Sequence, residues 1–252
     1  MAVKLAGFSE PGLVRKRNED AALIDHQVIQ GNAKSDIKTF EGETRWVAVA
    51  DGLGGHPAGN IASETLLRSL ISDNQPFRTR EDLNELSGYL STSLLRKAQE
   101  VDGAAGMAST LTALYCSDDK LYIIHCGDCR AYRIQGTGTE KSLISTDHTL
   151  VFQDYLRGEL TLEQLRMHPM KNQILRCIQA TDSITRLELH TLERSAGLRI
   201  LLASDGIWEA MSHPRLMELV QDGNLAQCCE SVRTQYYSSG ARDNGTMVLV
   251  EI

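Results

Sequence analysis

Two short stretches constrain this chain more than any other feature: Val47-Ala48-Val49-Ala50-Asp51-Gly52 and Leu201-Leu202-Ala203-Ser204-Asp205-Gly206. Each is an apolar run of strand length that rises to a single aspartate and then breaks into glycine. This is how a buried strand delivers a carboxylate to a sheet edge and stops. A third aspartate, Asp243, lies directly before the closing apolar run from Gly245 to Ile252. Three aspartates at strand ends are placed to converge. After Asp51 the glycines of Gly52-Leu53-Gly54-Gly55-His56-Pro57 let backbone carbonyls approach a cation or phosphate, and Pro57 suits the first turn of a helix starting near Ala58.

The order of elements supports strands in runs rather than alternating β-α-β units. Strands are expected from Val3 to about Asp25, interrupted at Glu10-Pro11-Gly12 and by the polar run Arg15-Lys16-Arg17-Asn18-Glu19-Asp20. Residues 30–44 read as an exposed excursion. Helices are expected over Ala58 to Ser72 and Asp82 to Val101; in the second, Leu83, Leu86, Leu90, Leu94 and Leu95 fall at helical spacing and mark a packed face. Short strands follow at Ser109 to Tyr115, Leu121 to Cys126, Arg130 to Ile134 and Ser142 to Ser145. Asp147 is placed to cap a helix that Gly158 ends, and Thr161-x-x-Gln164 has capping-box spacing for a second. Strands return at Ile184 to Leu192 and Arg199 to Ser204, then helices at Pro214 to Val220 and Leu225 to Tyr236.

At 252 residues the chain is long enough for one large domain with a substantial core. Its net charge of −7 is spread along the sequence, which favours neither nucleic acid nor an acidic membrane as partner. No signal-peptide run or membrane span is visible, so a cytoplasmic protein is expected. The six cysteines lack the spacing of a secreted framework. Cys126-x-x-Cys129 has no second pair to complete a zinc site, so these residues are read as buried thiols.

A cluster of carboxylates calls for a hard cation. Oxygen-only ligation suits Mg²⁺ or Mn²⁺, whereas zinc recruits the histidine and cysteine that these segments lack. Two carboxylates about 4 Å apart repel by about 4 kcal/mol at an effective dielectric of about 20, so such a cluster is unfavourable until cations or protons neutralise it.

In order, Arg15-x-x-Asn18-Glu19-Asp20, Asp51-Gly52-Leu53-Gly54-Gly55-His56, Gly106-Met107-Ala108-Ser109-Thr110, Gly127-Asp128-Cys129-Arg130, Ser204-Asp205-Gly206 and Asp243-Asn244 resemble the motifs of the metal-dependent serine/threonine protein phosphatases of type 2C, the bacterial branch in particular. Asp147-His148-Thr149-Leu150-Val151 and His168-Pro169-x-x-Asn172-x-x-x-Arg176 resemble that branch's flap segment. The resemblance runs from about Gly12 to Ile252. It implies an α+β fold: a four-layer α-β-β-α sandwich of two central, mainly antiparallel sheets flanked by helix pairs, with a small helical flap insert at about 147–182 in a single catalytic domain spanning 1–252.

The resemblance also implies roles. Asp51 would bridge two Mn²⁺ or Mg²⁺ ions, Gly52 would add its carbonyl to the second, and Asp205 and Asp243 would complete the first. Glu19 and Asp20 would hold metal-bound waters, Arg15 would bind the substrate phosphate, and Asp128 with Asp205 would form a third, weaker metal site. The implied reaction is hydrolysis of phosphoserine or phosphothreonine in proteins by a water or hydroxide held between the metals, reversing a bacterial serine/threonine kinase. A monomer is expected.

Three departures matter. Leu53 stands where many eukaryotic members carry a histidine, as in the bacterial branch, and the nearby His56 is displaced from that position. Cys129 replaces the usual serine of Gly-Asp-Ser-Arg. No tail follows the final strand, so no membrane anchor or sensor is expected. His125 is read as structural, His148 and His168 as capping or packing residues, and Trp46 and Trp208 as core. The competing functions are a catalytically silent regulatory module on the same fold, which intact Asp51, Asp205, Asp243 and Arg15 argue against, and a small-molecule phosphohydrolase.

Overall fold

A computed structural model describes residues 2–53, 58–73, 79–134 and 142–252. The strands are β1 (Val3–Glu10), β2 (Asp20–Ile24), β3 (Gln27–Ile29), β4 (Lys38–Gly42), β5 (Trp46–Asp51), β6 (Ala108–Ser109), β7 (Leu111–Cys116), β8 (Lys120–Cys126), β9 (Arg130–Ile134), β10 (Ile178–Gln179), β11 (Glu188–Glu193), β12 (Arg199–Ala203) and β13 (Gly245–Glu251). The helices are α1 (Gly59–Ser72), α2 (Arg80–Glu100), α3 (Phe152–Leu156), α4 (Leu162–Arg166), α5 (Asp205–Trp208), α6 (His213–Gln221) and α7 (Leu225–Ser238). One sheet has the order β4-β1-β13-β12-β9 and the other β11-β8-β7-β5-β2-β3, with β6 and β10 forming a separate ribbon. Neighbouring strands run antiparallel throughout.

The continuous apolar runs of β5 and β12 follow from burial on both faces. Val47 and Val49 face Ile200 and Leu202 in the core between the sheets. Trp46, Ala48 and Ala50 point outward beneath α1 and α2, together with Leu83, Leu86, Leu90 and Leu94 of α2. Leu201 and Ala203 pack outward beneath α6 and α7. Each fully buried leucine contributes about 1.5–3 kcal/mol through its removal from water, so these clusters hold the helix layers on. The result is the four-layer α-β-β-α sandwich.

Several local expectations need correction. Asp147 caps no helix: α3 begins at Phe152, and the Asp147 carboxylate instead receives a bidentate hydrogen bond from Arg130 at 2.7–3.0 Å in the core. A buried guanidinium outweighs one capping bond as a partner. Residues 142–145 form only a single bridge, Leu143 to Tyr132. The strand expected from Ile184 starts at Glu188, and the 30–44 excursion contains the edge strand β4. Helix α2 starts before Asp82: Thr79 is its cap, and Asp82 closes a capping box with it. The box predicted at Thr161 and Gln164 is present on α4, and Gly158 adopts φ 75° after α3. His56 and Pro57 lie outside the described residues. Among the described residues no helix is long and apolar enough to cross a membrane.

Candidate metal centre

Both strand-Asp-Gly segments end at one mouth of the sandwich, where Arg15, Glu19, Asp51, Gly52, Asp128, Asp205 and Asp243 line a cleft of about 490 Å³. Asn172, Gln173 and Ile174, from the segment after α4, line the same cleft.

Asp51 is the last residue of β5 and is held by its backbone. Its N–H donates to Thr110 Oγ1 (3.0 Å), and its carbonyl accepts from Thr110 N (2.8 Å) and Ser109 Oγ (2.9 Å). Gly52 continues toward Glu19, donating to the Glu19 carbonyl at 3.0 Å. A Cβ on Gly52 would lie 2.0 Å from the Gly59 carbonyl oxygen, so glycine is required where β5 passes the start of α1. Asp205 opens the short helix α5 instead, and a Cβ on Gly206 would lie 1.9 Å from the Asn244 carbonyl oxygen.

Asn244 joins the parts. Its Nδ2 donates to the carbonyls of Pro11 (3.1 Å) and Arg17 (3.0 Å), and its Oδ1 accepts from Glu19 N (2.8 Å). The connection between β1 and β2 is thereby fixed against the segment that carries Asp243. Arg15 Nη2 donates to Asp243 Oδ2 at 2.7 Å, and Tyr236 Oη donates to the Asp243 carbonyl at 2.5 Å. Asp20 pairs with Asp51 across β2 and β5 but is buried behind it, off the cleft wall.

The carboxylates are crowded. Loss of solvent at the cleft floor, followed by repulsion from Asp20 and Asp205, pushes Asp51 well above the usual carboxylate range. Burial and then Asp128 do the same to Asp205. Burial raises Asp20 to about 6 and, with Asp147 nearby, Asp128 to about 7. Asp20 Oδ2 and Asp128 Oδ1 are buried and accept no hydrogen bond from any described residue. Oxygen donors with uncompensated negative charge and orphaned lone pairs fit hard divalent cations of the Mn²⁺ or Mg²⁺ type.

The sequence reading missed the supports behind Asp128. Trp208 Nε1 donates to the Asp128 carbonyl at 3.1 Å, and the Arg130 guanidinium sits 3.6 Å above the Trp208 ring while gripping Asp147. Trp208 is core, as expected, but it also fixes the turn that carries Asp128. The signal was the Arg130 of Gly127-Asp128-Cys129-Arg130, to which no task had been assigned. His125 is buried as expected, between Thr112 Oγ1 (2.9 Å) and the Thr146 carbonyl (3.1 Å). His148 packs on it with ring centroids 4.9 Å apart, and His168 Nδ1 accepts from Met170 N at 3.2 Å.

Comparison with known proteins agrees with this geometry. A family model described as Protein phosphatase 2C matches residues 31–237. The chain belongs to the protein phosphatase 2C family. It is 27% identical over 257 residues to the serine/threonine protein phosphatase PstP of Mycobacterium tuberculosis, covering 100% of this chain but 45% of that protein. The chain thus spans less than half the length of that relative. It is 32% identical over 212 residues to protein phosphatase PhpP of Streptococcus pneumoniae, covering 82% of this chain and 85% of that one. The crystal structure of M. tuberculosis PstP/Ppp superposes with a TM-score of 0.80 at 27% identity, covering 100% of this chain and 99% of that chain. The PstP catalytic domain in complex with two manganese ions superposes at 0.77 and 25% identity, covering 100% and 99%.

Proposed function

We propose that this chain is a divalent-metal-dependent phosphatase that releases phosphate from phosphoserine and phosphothreonine in proteins. The observation that carries the reading is the convergence of Asp51, Asp128, Asp205 and Asp243 with Arg15 on one cleft. Asp51, the Gly52 carbonyl, Asp205 and Asp243 would hold two Mn²⁺ or Mg²⁺ ions, Glu19 and Asp20 would support them, and Asp128 with Asp205 would hold a weaker third. Bound there, the ions supply the positive charge and Lewis acidity that make water a competent nucleophile near neutral pH.

Arg15 binds and orients the phosphate. Among the described residues only its Nη2 is engaged, by Asp243, so the remaining N–H donors of the fork are available to phosphoryl oxygens. Asn244 and Thr110 keep the loops that carry Arg15 and Asp51 in register, so the charge on the phosphoryl group meets donors already in place. Asn172, Gln173 and Ile174 line the same cleft as Arg15.

Relatives named as protein phosphatases support the physiological setting we infer. The chain acts as a single catalytic domain with the flap at about 147–182, works as a monomer in the cytoplasm, and opposes a cognate serine/threonine kinase in signal transduction. The test is phosphate release from a phosphothreonine peptide by purified protein. Release should require Mn²⁺ and stop with a chelator; no release with metal, under conditions in which an active relative turns the peptide over, would overturn the reading.

A further inference from the structure

Beside the metal cleft lies a second groove of about 380 Å³, lined by Leu53, Ile174, Leu175, Arg176, Thr185 and Arg186 among others. Leu53 and Ile174 border both spaces, so one opens into the other. We propose that this groove is a subsite for an acidic residue of the substrate polypeptide, flanking the phosphorylated serine or threonine. The inference rests on the phosphatase reading and adds the sequence preference of its substrates.

Charge complementarity is the first argument. In a chain of net charge −7, the outer end of this groove is cationic. Arg186 is exposed, and among the described residues it donates no hydrogen bond and forms no ion pair. Glu188, two residues on, is already engaged: Thr146 Oγ1 donates to its Oε1 at 2.9 Å, and His190 Nε2 lies 3.0 Å from the same oxygen. Its carboxylate is thus held toward Thr146 and His190, and among the described residues it forms no ion pair with Arg186.

Arg176 supplies the second argument. Its Nη1 lies 2.8 Å from His148 Nε2, while Gly127 N–H donates to His148 Nδ1 at 3.0 Å. Burial, and then Arg176 itself, lower the His148 pKa to about 4, so the ring is neutral and carries one proton. Wherever that proton sits, one of the two contacts sets a donor against a donor. Arg176 thus holds a position from which an incoming carboxylate would offer it a better partner.

The apolar rim supplies the third. Leu175 (62% exposed) lines the groove, Ile184 (63%) directly precedes its Thr185, and Leu13 (66%) and Val14 (65%) directly precede Arg15 of the cleft. Exposed large apolar side chains next to the phosphate-binding residue and at the adjoining groove match a polypeptide laid over the site rather than a small phosphate ester. The carboxylates of the metal centre would repel an acidic substrate residue at the centre itself, which directs that residue outward to Arg176 and Arg186.

The experiment uses Mn²⁺-loaded full chain and pairs of phosphothreonine peptides that differ only in carrying aspartate or asparagine at the flanking positions. The wild type should favour the aspartate peptide in kcat/KM by about fivefold, the scale of partly exposed ion pairs. Arg186→Glu should remove or invert the ratio, and Arg186→Lys should keep most of it. The wild-type ratio should also shrink as salt rises from about 50 to about 300 mM, because Arg186 is exposed and Arg176 only half-buried. Equal turnover of both peptides by the wild type, an unchanged ratio in Arg186→Glu, or a ratio indifferent to salt would overturn the subsite while leaving the phosphatase reading intact. No turnover of any phosphopeptide by the wild type would overturn both.

Discussion

The two Asp-Gly strand ends look alike in sequence and differ in structure. Asp51 stays in the sheet: it ends β5, its backbone is bonded to Thr110 and Ser109, and Gly52 runs on against Gly59. Asp205 leaves the sheet at once by opening α5, and Gly206 is pressed against the Asn244 carbonyl. The shared pattern therefore specifies a carboxylate at a strand mouth beside a backbone with no room for Cβ. It does not specify the path taken afterwards. Asp51 is tied into the sheet through Thr110 and Ser109 and faces Asp20, Asp205, Asp128 and Asp243, in that order of influence, which suits it to be shared between the two core cations, whereas Asp205 would serve one of that pair and the weaker third.

That difference is breakable by substitution. Asp51→Asn should lower Mn²⁺-dependent phosphate release by about 100-fold or more, about 2.7 kcal/mol of barrier, because both proposed ions lose a ligand. Asp205→Asn should cost about tenfold less than that. Retention by Asp51→Asn of a tenth of the wild-type rate, or equal losses in the two variants, would dissolve the distinction.

The glycines sharpen the structural half of the comparison. Gly52→Ala and Gly206→Ala should each destabilise the fold by about 2–3 kcal/mol, since the added methyl meets backbone rather than a movable side-chain tip. Gly88, within α2, has nothing within 4 Å of a built Cβ. Gly88→Ala should stabilise by about 0.5–1 kcal/mol. Denaturant unfolding midpoints of the three variants check this, and a neutral Gly52→Ala would mean that β5 and α1 are less tightly apposed than described.

Asp128 belongs to the Asp205 end: Asp128 is the strongest charged influence on Asp205 and lies below both Asp20 and Asp205 in its effect on Asp51. Asp128→Ala should leave turnover within about tenfold of wild type while raising the Mn²⁺ concentration for half-maximal rate by about threefold, as expected from removing one charged oxygen donor. A Mn²⁺ titration of the rate measures it. An unchanged midpoint would detach Asp128 from metal binding.

What could be read in advance divides by the range of the interaction. The strands β5 and β12 and the leucine face of α2 were legible because burial on a sheet or helix imposes a short period on the sequence. The aspartates were legible because glycine follows each strand-ending one. Asp147 was misread because a local rule for helix caps competed with a guanidinium 17 residues away, and the buried pair won. The tasks of Asn244 and Trp208 were invisible for the same reason: their hydrogen bonds reach across 225–233 and 80 residues, respectively. No local pattern in the sequence records such partners.

A final prediction separates the carboxylates of the cleft from the histidines by the sign of their pH dependence. Asp20 and Asp128, raised to about 6 and about 7, keep protons that an unfolded chain releases near pH 4. Their contribution to stability is full below about pH 4 and is lost as pH rises through about 6 to 7. His125 and His148 are lowered to about 3 and about 4, by burial first and then by each one's positive neighbours. Their contribution is present above about pH 6.5 and is lost as pH falls toward 4. The metal-free protein therefore carries opposed slopes between pH 4 and 7, and its melting temperature alone does not resolve them. Cations bound in the cleft act on the first set, because they replace the protons that the crowded aspartates hold. The rise in melting temperature caused by Mn²⁺ over chelator should accordingly be larger at pH 7.5 than at pH 5, by at least about 3 °C, at about 2–4 °C per kcal/mol for a domain of this size. Equal rises at the two pH values would mean that the aspartates at the two strand ends do not share the crowded charge that distinguishes this mouth of the sandwich.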